Sequence, residues 1–289
     1  MPETVLSAGL SVGEAISRGR AALEAAGCDT PRLDAELLAA AALGLTRERL
    51  LLDRDRRLDP RALDRFEALL TRRAAREPVA YILGRKAFRH ISLAVDRRVL
   101  IPRPETELLV EVGLTLSVGA AVVDVGTGSG AVALALKDER SDVAVSGTDV
   151  SADALAVARS NALRLGLDVR LIHADLLDHL EYDAILANLP YVPDGLVLEP
   201  EIAAYEPPEA LFAGADGLDV IRRLLSMLGR RADGARGVLG AAHRVSLVAL
   251  EVGSEQAATV ASLMRHSAFA SVEILCDLAG HERVVVGRR

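Results

Sequence analysis

Two short runs of residues have the types and spacing to do chemistry. Asn188-Leu189-Pro190-Tyr191 follows one apolar stretch, and Asp124-Val125-Gly126-Thr127-Gly128-Ser129-Gly130 follows another. An amide nitrogen is a poor nucleophile, because resonance delocalises its lone pair into the carbonyl. A site that uses one must hold both NH2 hydrogens and aim the lone pair at an electrophilic carbon. The Asn188 side-chain oxygen and the Leu189 backbone carbonyl are two such acceptors, Pro190 stiffens the turn, and Tyr191 offers a ring to stack on a planar amide. No strong base is required before attack, since the nitrogen becomes acidic as it gains its substituent and sheds its proton afterwards. Standing alone, the four residues read equally well as a proline-stiffened turn.

The glycine run supplies a second function. Gly126, Thr127, Gly128, Ser129 and Gly130 lie between a buried strand and the helical Ala131 to Leu136, where glycines let the backbone turn sharply and helix-start amides face a polar ligand. The spacing is Gly-x-Gly-x-Gly, one residue short of the nicotinamide fingerprint, which favours a different adenosine-bearing cofactor. Asp149 ends the next strand, where a carboxylate can accept both hydroxyl hydrogens of a ribose. Asp175 and Leu176 follow the third strand and would flank an adenine with one polar and one apolar contact. An ordinary strand-to-helix cap explains those two as well. Asp124 is either a cofactor-side carboxylate or an acceptor for loop amides.

These residues need a scaffold. From Ala121 onward, buried strands alternate with helical patterns: Ala121 to Val125, Val143 to Asp149, Val169 to His173, Ala184 to Ala187 and Ser246 to Val252, with Ile274 and Val284 to Val286 closing as a hairpin. Such alternation predicts an α/β fold with a doubly wound parallel sheet, whose ligands sit at the carboxyl ends of the strands. Residues 11–76 carry helical spacing instead. Ser11 with Glu14 reads as a capping box, and Thr30-Pro31 and Asp59-Pro60 as caps before first-turn prolines. Stripes of Val12, Ile16, Leu23, then Leu33, Leu37, Ala41, then Leu63, Phe66, Leu70 would close a small bundle. The arginine-rich run from Arg47 to Glu77 reads first as a solvated surface laced with ion pairs and second as a docking face. Pro78 is expected to stop the last helix, and Tyr81 to Pro104 to run as a connector with extended pieces. The resulting division is a helical domain over 1–76, a connector over 77–104 and an α/β domain over 105–289.

Composition narrows the partners. A net charge of −7 speaks against a nucleic-acid footprint. Cys28 and Cys276 have no Cys or His at ligand spacing, so neither a disulfide framework nor a metal site is expected. No secretory signal is visible, and the weakly charged stretch from Val112 to Leu136 is interrupted by Asp124 and glycines, so a cytoplasmic, membrane-free monomer is expected.

Along almost its whole length the chain resembles the PrmC/HemK family of release factor glutamine methyltransferases. The resemblance is carried by Pro78-Val79-Ala80-Tyr81-Ile82-Leu83-Gly84 and by Val99-Leu100-Ile101-Pro102-Arg103-Pro104-Glu105-Thr106-Glu107. It extends to Asp124 to Gly130, Asp149, Asn161 and Asn188 to Tyr191, then Glu206-Pro207, Gly217-Leu218-Asp219, Asp277 to Gly280 and Arg283 to Arg288. It implies a Rossmann-like class I methyltransferase domain behind a helical substrate-recognition domain, with S-adenosylmethionine as cofactor. The cofactor would be held by the glycine run, Asp149, Asp175, Leu176 and Asn188. The implied substrate is the glutamine of the Gly-Gly-Gln motif in class-one peptide chain release factors, with no direct nucleic-acid binding. Leu189 departs from the family's usual Asn-Pro-Pro-Tyr and resembles ribosomal RNA adenine dimethyltransferases. The acceptor role belongs to the backbone carbonyl, which leucine keeps, so activity is expected to survive with a less restricted backbone. The stretch from Leu228 to Leu247 also looks longer and more polar than the family's turn. Competing readings are a ribosomal protein glutamine methyltransferase, a nucleic-acid adenine methyltransferase, against which the acidic chain speaks, and a noncatalytic cofactor-binding module, against which Asn188 and Tyr191 speak.

Overall fold

The capping box forms as the spacing predicts: Ser11 Oγ accepts from the Glu14 N–H, and the Glu14 carboxylate accepts from the Ser11 N–H, opening helix α1 (Val12–Ala25). Pro31 opens α2 (Pro31–Leu43), but Thr30 makes no capping bond, and its hydroxyl donates instead to Asp34 Oδ1 at 2.7 Å. Thr46 caps α3 (Arg47–Leu52), and Asp59 caps α4 (Pro60–Ala74). The computed structural model describes residues 9–178, 181–229 and 245–289. Most of the polar stretch between Leu228 and Leu247 lies outside them.

The chain divides into two compact units, Met1–Gly84 with Leu198–Tyr205, and Arg85–Val197 with Glu206–Arg289. In the first, Val12, Ile16 and Leu23 of α1 and Leu63, Phe66 and Leu70 of α4 are buried together. The α2 stripe differs from expectation. Leu33 and Ala41 are exposed and Leu37 only half-buried, while Ala35, Leu38, Ala39 and Ala42 face inward. An alanine-rich helix has little apolar periodicity to read, and here ion pairs settle its rotation. Asp34 accepts from Arg73 Nε at 2.7 Å, and the fully buried Glu36 accepts from Arg32 at 3.1 Å and Arg47 at 2.8 Å. Burial alone would raise the Glu36 carboxyl, but Arg47 and Arg32 outweigh it and hold it below its ordinary value. Arginines of the basic run thus fasten this unit internally, and Arg73 and Arg76 also hold Glu201 at 2.9 and 2.5 Å.

Pro78 starts a helix here, which corrects the extended reading of Tyr81 to Leu83. It precedes α5 (Val79–Leu83), whose Ile82 joins the first unit's core, and Gly84 ends it with φ +67°. Pro78 is the N-cap of α5, where its missing N–H costs no helical bond, and it is not what stops α4, which has already ended at Ala74, two residues before the left-handed Arg76 at φ +69°.

The second unit opens with an antiparallel hairpin, β1 (Arg85–Phe88) and β2 (Ile91–Ala94). A 3-10 turn over Pro104–Thr106 leads into α6 (Glu107–Leu114). Then follow β3 (Ala121–Val125), α7 (Ala131–Glu139), β4 (Ala144–Asp149), α8 (Ala152–Leu165), β5 (Arg170–His173) and β6 (Ala184–Ala187). Helix α9 (Pro200–Tyr205) belongs to the first unit, after which come α10 (Asp219–Gly229), β7 (Leu247–Glu251), α11 (Ala257–His266), β8 (Ser271–Cys276) and β9 (Glu282–Arg288). The seven-stranded sheet has the order β5-β4-β3-β6-β7-β9-β8. Strands β3 to β7 run parallel, and β9 is antiparallel to both of its neighbours. The α/β, Rossmann-like expectation holds, and every residue of β6 is buried, as a parallel strand covered on both faces requires. Strand order reverses between β3 and β6, and the crevice at such a switch point is where doubly wound sheets bind ligands. Among the described residues no helix is long and apolar enough to cross a membrane.

Candidate functional site

The glycine loop leaves β3 at that switch point. The Gly126 and Thr127 N–H groups both donate to the Thr148 carbonyl at 2.9 Å, and the Gly130 N–H closes the turn on the Thr127 carbonyl at 2.8 Å. Gly130 has φ +84°, and a Cβ there would sit 2.8 Å from Leu134 Cδ1, so only glycine fits the start of α7. Asp124 braces the loop from beneath. Its Oδ2 accepts from Thr127 Oγ1 at 2.6 Å and from the Ala133 N–H at 3.1 Å, which favours the loop-acceptor reading of this residue. Burial pushes its carboxyl up to about 7, against the pull of those two donors. Asn161 does not line the site; fully buried, it donates to the Ser129 carbonyl at 2.9 Å and pairs with the Ala94 backbone, holding the loop from outside.

Asp149 ends β4, its two oxygens accepting from the Gly128 N–H at 2.9 Å and the Ser151 N–H at 2.8 Å. Burial raises its carboxyl above the ordinary value, while Ser151 and Gly128 pull it back. The pair after β5 splits. Asp175 is exposed and ion-paired with Arg223 at 2.5 Å. Leu176 is buried with φ +69°, a left-handed conformation that costs a non-glycine residue about 1–2 kcal/mol. The Thr148 hydroxyl, donating to the Leu176 carbonyl at 2.6 Å, helps to hold it there.

Asn188 leaves β6 beside the glycine loop, because Val125 and Ala187 are register partners at the ends of neighbouring strands. Its Nδ2 donates to Thr106 Oγ1 at 3.0 Å, which leaves Oδ1 as the atom to accept from a ligand. Leu189 is buried, and its side chain covers the Gly126 turn, with Cδ2 3.3 Å from where a Gly126 Cβ would lie. The Tyr191 hydroxyl reaches toward Glu251 Oε1 at 3.5 Å, and its carbonyl accepts from Gln256 Nε2 at 2.9 Å. Beyond the motif, the Val192 backbone pairs with Leu211 and Ala213. Gly217 closes this region, with φ +74°, and a Cβ would fall 2.1 Å from the Tyr191 carbonyl oxygen. Gly217→Ala is therefore expected to displace the turn, lowering stability by about 1–3 kcal/mol and slowing turnover. Thermal melts with single-turnover assays check this, and an unchanged melt and rate would show that the contact yields freely.

One cavity of about 370 Å³ gathers most of these groups: Gly126, Thr127, Gly128, Ser129, Asp149, Asp175, Leu176, Asn188, Leu189 and Pro190 all line it. Gly130 and Tyr191 are not among its lining residues; the first shapes the loop and the second faces Glu251. Several lining residues carried no role in the sequence reading, among them Arg98, Pro102, Thr106, Val150, Glu209 and Arg223. Of these, Pro102 and Thr106 had a signal, as parts of the motif from Val99 to Glu107. The size falls within the roughly 300–1,000 Å³ range of small-molecule sites. A buried carboxylate, a close-turning glycine loop and apolar walls suit a ligand that presents ribose hydroxyls and a flat ring.

A doubly wound sheet of this order, with a glycine loop after its first strand and an acid closing its second, defines a class I methyltransferase domain. The chain matches the PrmC N-terminal domain over residues 14–84 and the methyltransferase small domain over residues 104–204. It is 39% identical to the release factor glutamine methyltransferase of Rhodospirillum rubrum over 100% of this chain and 88% of that one, and it belongs to the release factor glutamine methyltransferase family. The proteins of the same name from Mycolicibacterium smegmatis (40% identical, covering 95% of this chain and 96% of that one) and Pseudomonas aeruginosa (41%, covering 90% and 94%) are similarly related. Among solved structures, the hMettl16 catalytic domain in complex with a MAT2A 3′UTR hairpin aligns with TM-score 0.53 over 76% of this chain and 81% of that one. At 14% identity the likeness is one of fold alone.

Proposed function

We propose that this chain transfers a methyl group from S-adenosylmethionine to the side-chain amide nitrogen of the Gly-Gly-Gln glutamine in class-one peptide chain release factors. The observation that carries this reading is the meeting of the glycine loop, Asp149 and Asn188 in one cavity, with the Asn188 nitrogen already engaged by Thr106. When bound, the cofactor supplies an electrophilic methyl on a sulfonium. Asp149 would accept from the ribose hydroxyls, and the glycine loop and Leu176 would seat the remainder. Asn188 Oδ1 and the Leu189 carbonyl take the two hydrogens of the substrate NH2, which turns the nitrogen lone pair toward the methyl and stabilises the positive charge that develops. The electron pair of the broken carbon–sulfur bond would stay with sulfur, leaving S-adenosylhomocysteine, and the nitrogen would shed one proton to solvent and regain its planar amide.

The helical unit is assigned recognition of the folded release factor. Incubation with labelled S-adenosylmethionine and a release factor tests the whole reading, using its Gln-to-Ala variant and a short Gly-Gly-Gln peptide as comparisons. Label is expected on the intact factor, absent from the variant and weak on the peptide. Label on the variant would move the modified site, and a peptide as good as the factor would remove recognition from the helical unit.

Leu189→Pro tests the acceptor role from the other side. It keeps the carbonyl and restricts the backbone, but it deletes a side chain that is 4% exposed and part of the core. Methylation within a few-fold of wild type is expected, together with a lower melting temperature, since emptying such a site costs about 1–3 kcal/mol. A dead enzyme of unchanged stability would show that the loop geometry depends on leucine.

A further inference from the structure

Glu251 is the one acidic residue in the otherwise apolar β7, at the strand's carboxyl end, and it is 2% exposed. Its Oε1 faces the Tyr191 hydroxyl at 3.5 Å. Its Oε2 is buried without a hydrogen-bond partner among the described residues, although the Thr106 hydroxyl beside the carboxylate favours its charged form. A buried carboxylate oxygen left unsatisfied is costly, and one next to a reaction site calls for a role.

Thr106 links this acid to the motif. Its hydroxyl has a single hydrogen and its oxygen accepts from Asn188 Nδ2 at 3.0 Å, so that hydrogen must point away from Asn188. The Glu251 carboxylate, with Oε2 unsatisfied, is an acceptor near enough for the Thr106 hydroxyl to favour its charged form. The structure forms no hydrogen bond between Thr106 and Glu251, but one from the Thr106 hydroxyl to the unsatisfied Oε2 would complete a chain of one direction, from the Asn188 NH2 to Thr106 and on to Glu251, leaving Asn188 Oδ1 for the substrate. We propose that Glu251 is a positioning residue that sets this direction through Thr106, and that a proton on Glu251 reverses it. A protonated Glu251 donates to the Thr106 oxygen, and the Thr106 hydrogen then turns to Asn188. The Asn188 amide rotates to accept it, and its NH2 meets the substrate NH2, donor against donor. Glu251 touches neither substrate nor cofactor; it acts through Thr106. The inference rests on the reading that a substrate amide meets Asn188.

The surroundings place this switch near neutrality. Burial pushes the Glu251 carboxyl up to about 7; Thr106 lowers it, Glu105 in the turn before α6 raises it, and Arg283 of β9 and then Tyr191 lower it. Tyr191 stays protonated throughout, its hydroxyl pushed up to about 12 by burial and then by Glu251.

The test measures single-turnover rates with saturating cofactor and release factor from about pH 5.5 to 9, where loss of an essential base form costs roughly tenfold per pH unit below its midpoint. Wild type is expected to rise through a midpoint near 7 in rate rather than in KM. Glu251→Gln keeps an acceptor oxygen but cannot titrate, so its profile should be flat, with a rate at high pH within about tenfold of wild type. Thr106→Val should be slow and flat, and Thr106→Ser should restore both rate and midpoint. A Glu251→Gln profile with the wild-type midpoint would overturn the proposal. A second readout needs no substrate and stands even if Glu251→Gln folds poorly. The side-chain amide resonance of Asn188, assigned by its loss in Asn188→Ala, should shift in the wild-type protein through the same midpoint and not in Thr106→Val. A resonance insensitive to pH in wild type would refute the relay. A shifting resonance in a protein that methylates no release factor would refute the substrate reading alone.

Discussion

Replacing Asn188 with alanine is expected to slow methylation of the release factor by about a hundredfold or more, the usual effect of losing one preorganised polar contact to a charge-developing group. An amide nitrogen reacts only when its lone pair is aimed, and Asn188 Oδ1 is one of the two acceptors proposed to aim it. The structure sharpens the expectation, because Thr106 Oγ1 accepts from the Asn188 nitrogen at 3.0 Å and so leaves Oδ1 as the end free for a ligand. Alanine leaves the glycine loop and Asp149 in place, so affinity for S-adenosylhomocysteine should change little. Single-turnover rates at saturating cofactor decide the matter, and near-normal methylation by Asn188→Ala would sink the mechanism.

Asp149→Ala should do the reverse, weakening S-adenosylhomocysteine binding by about 1.5–3 kcal/mol, roughly ten- to a hundredfold, by removing charge-assisted hydrogen bonds to the ribose. Stability should respond far less. Burial raises the Asp149 carboxyl above its unfolded value, so its ionisation makes the fold lose stability as pH rises from the unfolded value through the folded one. Removing the group relieves that penalty at neutral pH and offsets the two backbone bonds lost from Gly128 and Ser151. The same sign governs binding: the charged carboxylate is the form that accepts from ribose, so affinity should fall as pH drops through the raised value. Calorimetry across pH checks both, and an unchanged dissociation constant for Asp149→Ala would move the cofactor site elsewhere.

Much of this was legible without coordinates. The buried strands from Ala121 to Val125 and from Ala184 to Ala187 appear in the structure with those same bounds, because a parallel strand covered on both faces reads as a nearly continuous apolar run, broken in the first only by Asp124. Glycines at a strand-to-helix turn and acids at strand ends are likewise local signals, since the backbone conformation and the chemistry they serve lie within a few residues. The inward face of α2 was not legible. Alanine at most positions leaves no periodicity, and the rotation is settled by Arg73 and Arg47, each bonded to an acid of that helix.

Sequence alone determined which residues are chemically able to act: the glycine loop, Asp149 and the Asn188 motif, each of whose character is written in its own side chains and immediate neighbours. Only the tertiary structure decided that they lie together and on what support. Strand order is a non-local property, and it is the pairing of β3 with β6 that brings Gly126 and Asn188 to one cavity. Thr106 and Glu251 stand 82 residues before and 60 after their partners Asn188 and Tyr191, too far for any pattern along the chain to link them. An acid closing an otherwise apolar strand was the one visible hint of Glu251. What such an acid does depends on the hydroxyls and amides that folding packs against it.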